Sequence, residues 1–154
     1  MSSDLMGMLL DRRPVRLTWS AWVAIGLQTV LGVVALPSGW ALMTPPPGEG
    51  PLGMSLSWLE GTPFTSYFIP GLLLFGVFGV GSLVATAAGA LRHWTAPYLA
   101  FAIGVGQMIW IAVQVYIMDK MGIYFLQPTL FVWGALIALC AFLWWRATRR
   151  GAPR

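Results

Sequence analysis

Four stretches of this chain, residues 17–36, 67–91, 97–118 and 127–145, contain no Asp, Glu, Lys, Arg or His. Each is about as long as the roughly 20 residues a helix needs to cross a hydrocarbon layer about 30 Å thick. A backbone in that layer must satisfy its own hydrogen bonds, so an uncharged apolar segment of this length can only be a helix there. The expected fold is all-α: a transmembrane, antiparallel four-helix bundle forming a single domain. Residues 37–62 form a long external loop, and residues 1–16 and 146–154 form cytoplasmic tails. Composition agrees, with 58% apolar and only 9% charged residues, against about a quarter charged in a soluble domain.

Orientation follows from the basic residues. Arg12, Arg13 and Arg16 precede the first span, Arg92 lies between the second and third, and Arg146, Arg149, Arg150 and Arg154 follow the fourth. Eight of the nine basic residues thus fall on one side, and only Lys120 falls on the other. The positive-inside rule puts both termini in the cytoplasm. A net charge of +4 with this distribution reflects topology, so no nucleic-acid partner is expected. The first span exceeds a 7–15 residue signal-peptide core and lacks a clear small-x-small cleavage site, so it is expected to be retained.

Short connections at residues 92–96 and 119–126 make their flanking helices neighbours. In the long loop, Pro45, Pro46, Pro47 and Gly48 prescribe extended chain, and residues 54–59 suggest a short interfacial helix or an outer lid. Thr62-Pro63-Phe64 resembles a helix start. A helix continuing from there would kink at Pro70, which cannot donate to the carbonyl four residues back.

Helical spacing groups the small and polar residues on one face of each span. These faces are Ala21, Ala24, Gln28, Gly32 and Ala35; Gly71, Phe75, Phe78, Gly79, Ser82, Ala85, Thr86 and Gly89; Ala100, Ile103, Gly104, Gln107, Trp110, Ile111 and Gln114; and Gln127, Phe131, Gly134, Ala138, Ala141 and Trp145. Helix packing is assigned to Gly71, Gly79, Ala85, Gly89, Gly104 and Gly134. Span two, richest in small residues, is expected at the centre of the bundle against span three. Cys140 falls on the lipid side of span four.

Gln28, Ser82 and Gln107 should meet near the midplane, with Gln114 and Gln127 at a shallower depth. Buried amides either bond one another across helices, at roughly 0.6–2 kcal/mol per bond, or line a polar pocket. In the second case Trp110 would be a flat apolar wall beside a small neutral molecule or a quinone-like headgroup.

Several chemistries are excluded. One cysteine and one histidine, His93, leave no intrachain disulfide, thiolate metal cluster or paired-histidine haem, so no metal site or cofactor is expected. With no Asp, Glu, Lys, Arg or His in any span, proton-coupled antiport lacks its carrier. Ser82 and Thr86 have no base to activate them, so no catalytic residue is assigned.

The segments Leu59-Glu60-Gly61-Thr62-Pro63-Phe64 and Ile69-Pro70-Gly71-Leu72-Leu73-Leu74, with residues 110–114 and Leu126-Gln127, resemble small bacterial four-span inner-membrane proteins of uncharacterised activity. The likeness covers roughly residues 20–145 and implies a bacterial inner-membrane location but no reaction. A looser likeness to the DoxX-like four-helix proteins rests on span count alone. The leading expectation is a non-enzymatic accessory or assembly subunit of the plasma membrane. Its partners would be membrane lipids, with a homo-oligomer or a larger membrane complex compatible. The rival is a small transporter or channel binding a neutral or lipid-like solute at the midplane.

Overall fold

A computed structural model describes residues 14–45, 51, 54–61, 63–117 and 126–150. Among them the regular structure is entirely helical, and four helices are long and apolar enough to cross a membrane. Helix α1 is Trp19–Met43, α2 is Phe68–Ala90, α3 is Ala96–Ile117 and α4 is Leu126–Arg150. A single 3₁₀ turn, Leu56–Leu59, precedes α2. The Pro-Pro-Pro-Gly stretch beyond Pro45, Thr62, the whole α3–α4 connection and the outermost basic residues lie outside the described residues.

Two helices run past their expected ends. Helix α1 continues through Pro37 to Met43 instead of stopping at Leu36. Proline leaves the Val33 carbonyl without its helical donor, but the final turns are held from outside. Gly39 lies so close to α2 that a β-carbon there would be 2.5 Å from the Phe75 amide nitrogen. Thr44 closes the helix through its amide and hydroxyl, both donating to the Trp40 carbonyl at 3.1 and 2.9 Å. Helix α4 likewise continues to Arg150, so residues 146–150 extend the helix where a tail was expected.

Helix α2 begins at Phe68, later than the Thr62-Pro63-Phe64 signal. Pro70 therefore sits in the first turn, where its missing N–H costs nothing, and the kink expected there has no cause. The departure from α geometry comes at Leu74–Val80, a π-helical stretch ending where the Gly81 N–H donates to the Gly76 carbonyl, five residues back. At the other end of α2, Arg92 adopts a left-handed conformation (φ 55°). Its N–H donates to the Gly89 carbonyl and that of His93 to the Ala88 carbonyl, at 3.0 and 2.8 Å. This is the hydrogen-bonded cap in which glycine is the usual residue.

The bundle is two glycine-zipped pairs. Along α1 and α2, Gly32 faces Leu83 and Gly79, Leu36 faces Gly79, and Gly39 and Leu42 face Gly71. Further along, Gly89 meets Ile25, and the Thr29 and Thr86 hydroxyls lie 3.3 Å apart. Along α3 and α4, a β-carbon on Gly104 would stand 2.6 Å from the Ala138 nitrogen and 2.7 Å from the Gly134 carbonyl oxygen. Close backbone approach multiplies dispersion contacts, the main attraction available between helices in lipid. The partner expected for the small-residue face of α2 is thereby corrected: it is α1, and α2 meets α3 through a looser apolar cluster of Phe78, Ala85 and Ile103 with Ala35 of α1.

Helix α4 also differs from expectation. Its buried surface has two stripes. Gly134, Ala138 and Ala141 are buried on the expected face. Ile137, Cys140 and Trp144 form a second buried stripe, continued by Trp133. On this stripe the Trp133 indole donates to the Leu27 carbonyl and the Trp144 indole to the Arg16 carbonyl, at 3.3 and 2.8 Å. Cys140 is thus buried rather than on the outer surface, whereas Phe131, assigned inward, is exposed. A helix with neighbours on two sides buries more than one face, and a single small-residue stripe describes only one of them.

The end of the bundle carrying Pro14 and Arg150 is closed by Val15, Ala21, Ile25, Ala96 and Trp144. The Val15 N–H donates to the Arg92 carbonyl at 3.0 Å, pinning the segment before α1 to the α2–α3 turn. All five described arginines gather at this end.

Candidate functional site

Toward the opposite end the two pairs part and enclose a cavity of about 330 Å³. The ties that Trp133 and Trp144 make between α4 and the α1 side lie on the arginine-rich side of it. Leu31, Val34, Ala35 and Ser38 of α1 form one wall, and Leu126, Gln127 and Leu130 of α4 form another. Gln107, Trp110, Ile111 and Gln114 of α3 line the back, with Leu74 and Phe78 from the π-helical stretch of α2. Phe78 and Trp110 pack with ring centroids 6.3 Å apart, closing the space between α2 and α3. Val34 and Leu126 are themselves exposed, so the cavity reaches the surface between α1 and α4.

Met54, just before the 3₁₀ turn, also lines the cavity. The turn is held down by buried Leu59 and by the Tyr67 hydroxyl, which donates to the Ser55 carbonyl at 2.8 Å. The segment expected to be either an anchor or a lid therefore contributes directly to the cavity wall.

Of the six polar or aromatic residues singled out from the sequence, Gln107, Trp110, Gln114 and Gln127 line this cavity. Gln28 and Ser82 do not. Both are fully buried one turn nearer the arginine-rich end, and among the described residues no hydrogen-bond partner meets the Gln28 amide or the Ser82 hydroxyl. Gln107 is 3% exposed. Its Nε2 donates to the Leu130 carbonyl of α4 at 3.0 Å, while its Oε1, itself buried, has no partner among the described residues. The bond to Leu130 fixes the amide's orientation, and Gln107 joins Gln114 and Gln127 as the amide residues of an otherwise largely apolar lining.

That combination defines what the cavity can hold. Gln114 and Gln127, both only half-buried, offer amide oxygens to a ligand O–H or N–H group beside that apolar surface. Lining by aliphatic and aromatic side chains with a few amides suits an uncharged molecule with an apolar body, and the volume falls within the roughly 300–1,000 Å³ of small-molecule sites. Among the described residues no ionisable side chain lines the space.

The six glycines and alanines assigned to packing fall into separate groups. Gly71, Gly79 and Gly89 meet α1, Gly104 and Gly134 meet each other, and Ala85 is in the α2–α3 cluster. Sequence reasoning missed Ser38 and Gly39, which it placed beyond the end of a span, and Leu126. It also missed the indole donors of Trp133 and Trp144. The signal for these was present, since a buried tryptophan must find an acceptor. No protein-family model, curated protein or solved structure matches this chain.

Proposed function

We propose that this chain is a multi-pass protein of the bacterial inner membrane, an antiparallel four-helix bundle with both termini cytoplasmic, that binds a small uncharged amphiphile in the cavity beside Gln107. The alternating order of the inter-helix contacts supports the antiparallel arrangement: residue numbers fall along α2 as they rise along α1, and fall along α4 as they rise along α3. The gathering of the described arginines at one end supports the orientation. The observation that carries the binding reading is a cavity of about 330 Å³, open between α1 and α4, whose largely apolar lining includes Gln107, Gln114 and Gln127. An opening of that kind suits a ligand arriving from the lipid, such as a ring or headgroup bearing one hydroxyl on an apolar tail.

The test compares decyl-hydroquinone with its dimethyl ether, which has the same apolar body without the donors. Binding to the purified full chain in detergent is measured by quenching of tryptophan fluorescence. One neutral hydrogen bond to a lining amide, of about 0.5–1.5 kcal/mol, predicts that the hydroquinone binds up to about tenfold tighter, and that replacing both accessible amides, Gln114→Leu with Gln127→Leu, abolishes the difference. Equal affinities in the wild type would reject the reading.

A second reading has its own support. The bond from Gln107 to Leu130 and the Thr29–Thr86 contact are what an accessory subunit would use to fix its helices for docking to a larger membrane complex. Under that reading, neither compound binds and Gln107→Leu only lowers stability.

A further inference from the structure

At the arginine-rich end, a second feature lies on the outside of the bundle between α3 and α4. Pro97 and Ala141 form its floor, both buried, and the exposed aromatic rings of Tyr98, Phe101 and Phe142 with half-buried Trp145 rise on either side. The resulting groove has a volume of about 210 Å³ and is almost wholly apolar. Small residues between aromatic ridges make the trough, and the ridges are braced. Phe142 and Trp145 stack at 5.8 Å with 30° between planes, and the Trp145 indole donates to the Tyr98 hydroxyl across the groove at 3.1 Å.

The groove runs into a less apolar cavity of about 200 Å³ that shares Pro97, Tyr98 and Trp145 with it and adds Val15, Trp94, Thr148 and Arg149. The Arg149 guanidinium lies 4.4 Å from the centre of the Trp145 ring, which holds the cation at the mouth of the trough. Five arginines are described at this end of the molecule, whereas the one described carboxylate, Glu60, lies at the other. Among the described residues this end therefore has no internal counter-ion.

We propose that this composite groove seats one anionic phospholipid, with its phosphate against Arg149 and one acyl chain between the aromatic ridges of α3 and α4. The occupant follows from complementarity at both ends. A fixed cation at the interface, bordered by two tryptophans, matches a headgroup phosphate, and the adjoining trough matches a hydrocarbon chain rather than a free anion. The site is separate from the cavity beside Gln107 and does not depend on what that cavity binds.

Native mass spectrometry of the full chain in a nonionic detergent tests this, with equimolar phosphatidylglycerol and phosphatidylcholine carrying identical chains. One interfacial arginine predicts about fivefold preferential retention of the anionic lipid. Arg149→Gln should bring the ratio close to one, whereas Arg149→Lys should keep most of it. Arg150→Gln is the control, because Arg150 lines a different recess with Thr18 and Trp19 on the opposite side of α4. Phe101→Ala, which lowers one ridge, should weaken both lipids together. Equal retention of the two lipids by the wild type would overturn the proposal. So would an equal loss in Arg150→Gln, which would mean diffuse surface charge, or undiminished retention in Phe101→Ala, which would mean that no chain is seated.

Discussion

Replacing Gly104 by alanine tests the packing logic of the bundle with a single methyl group. The added β-carbon would stand 2.6 Å from the Ala138 nitrogen and 2.7 Å from the Gly134 oxygen, and both are backbone atoms that no rotamer change can move aside. Ordinary contact begins at 3.4 Å, so α3 and α4 must separate by about 0.8 Å. A gap of that size forfeits a quarter to a half of the dispersion attraction along the seam, and overpacking of this kind costs about 1–3 kcal/mol. It also takes the 3.0 Å bond from Gln107 to the Leu130 carbonyl out of range, costing about 1 kcal/mol more. Against this, alanine gains about 0.5–1 kcal/mol in helix preference over glycine. The net expectation is a loss of about 1–3 kcal/mol, the balance of those contributions. Gly26→Ala isolates the last contribution, because nothing lies within 4 Å of its added carbon, and it should be neutral or stabilising. Thermal unfolding of both variants in one detergent is the assay. If Gly104→Ala melts with Gly26→Ala at or above the wild type, close backbone contact does not hold α3 to α4.

Three further outcomes are expected. Gln28→Leu should be neutral or stabilising, because it removes a buried amide with no partner, whereas Gln107→Leu should cost about 1 kcal/mol through loss of its bond to Leu130; melting temperatures in ligand-free detergent decide, and equal shifts would refute the asymmetry. Trp144→Phe should cost about 1–3 kcal/mol, since it strands the Arg16 carbonyl that the indole reaches at 2.8 Å, and urea unfolding followed by near-ultraviolet circular dichroism would register it. In a Cys140→Ala background, an impermeant thiol reagent on intact cells should label Ser57→Cys and leave Arg150→Cys untouched; the reverse pattern would invert the topology.

The helices themselves were legible in the sequence because length and absence of charge are local properties. A run such as residues 97–118 must satisfy its backbone internally wherever it packs, and α3 lies within a residue or two of that range. The small-residue faces were legible for the same reason, since 3.6-residue spacing is built into the helix. Four of the six residues singled out as polar or aromatic lining share one cavity because Gln107, Trp110 and Gln114 recur on one face of α3, and Gln127 comes from the first turn of α4.

What the tertiary structure decided was which faces meet. The glycines of α2 would have suited either neighbour. They zip to α1 because Gly32 and Gly39 present matching gaps in register with Gly79 and Gly71, and the fit of two surfaces is a property of neither sequence alone. The same contact carries α1 through Pro37, overriding the local preference to stop. A second neighbour for α4 buries Cys140 and Trp144 and leaves Phe131 outside. The cavity beside Gln107 is the space left where two zipped pairs diverge. No residue encodes it, and only the angle between the packed pairs brings it into being.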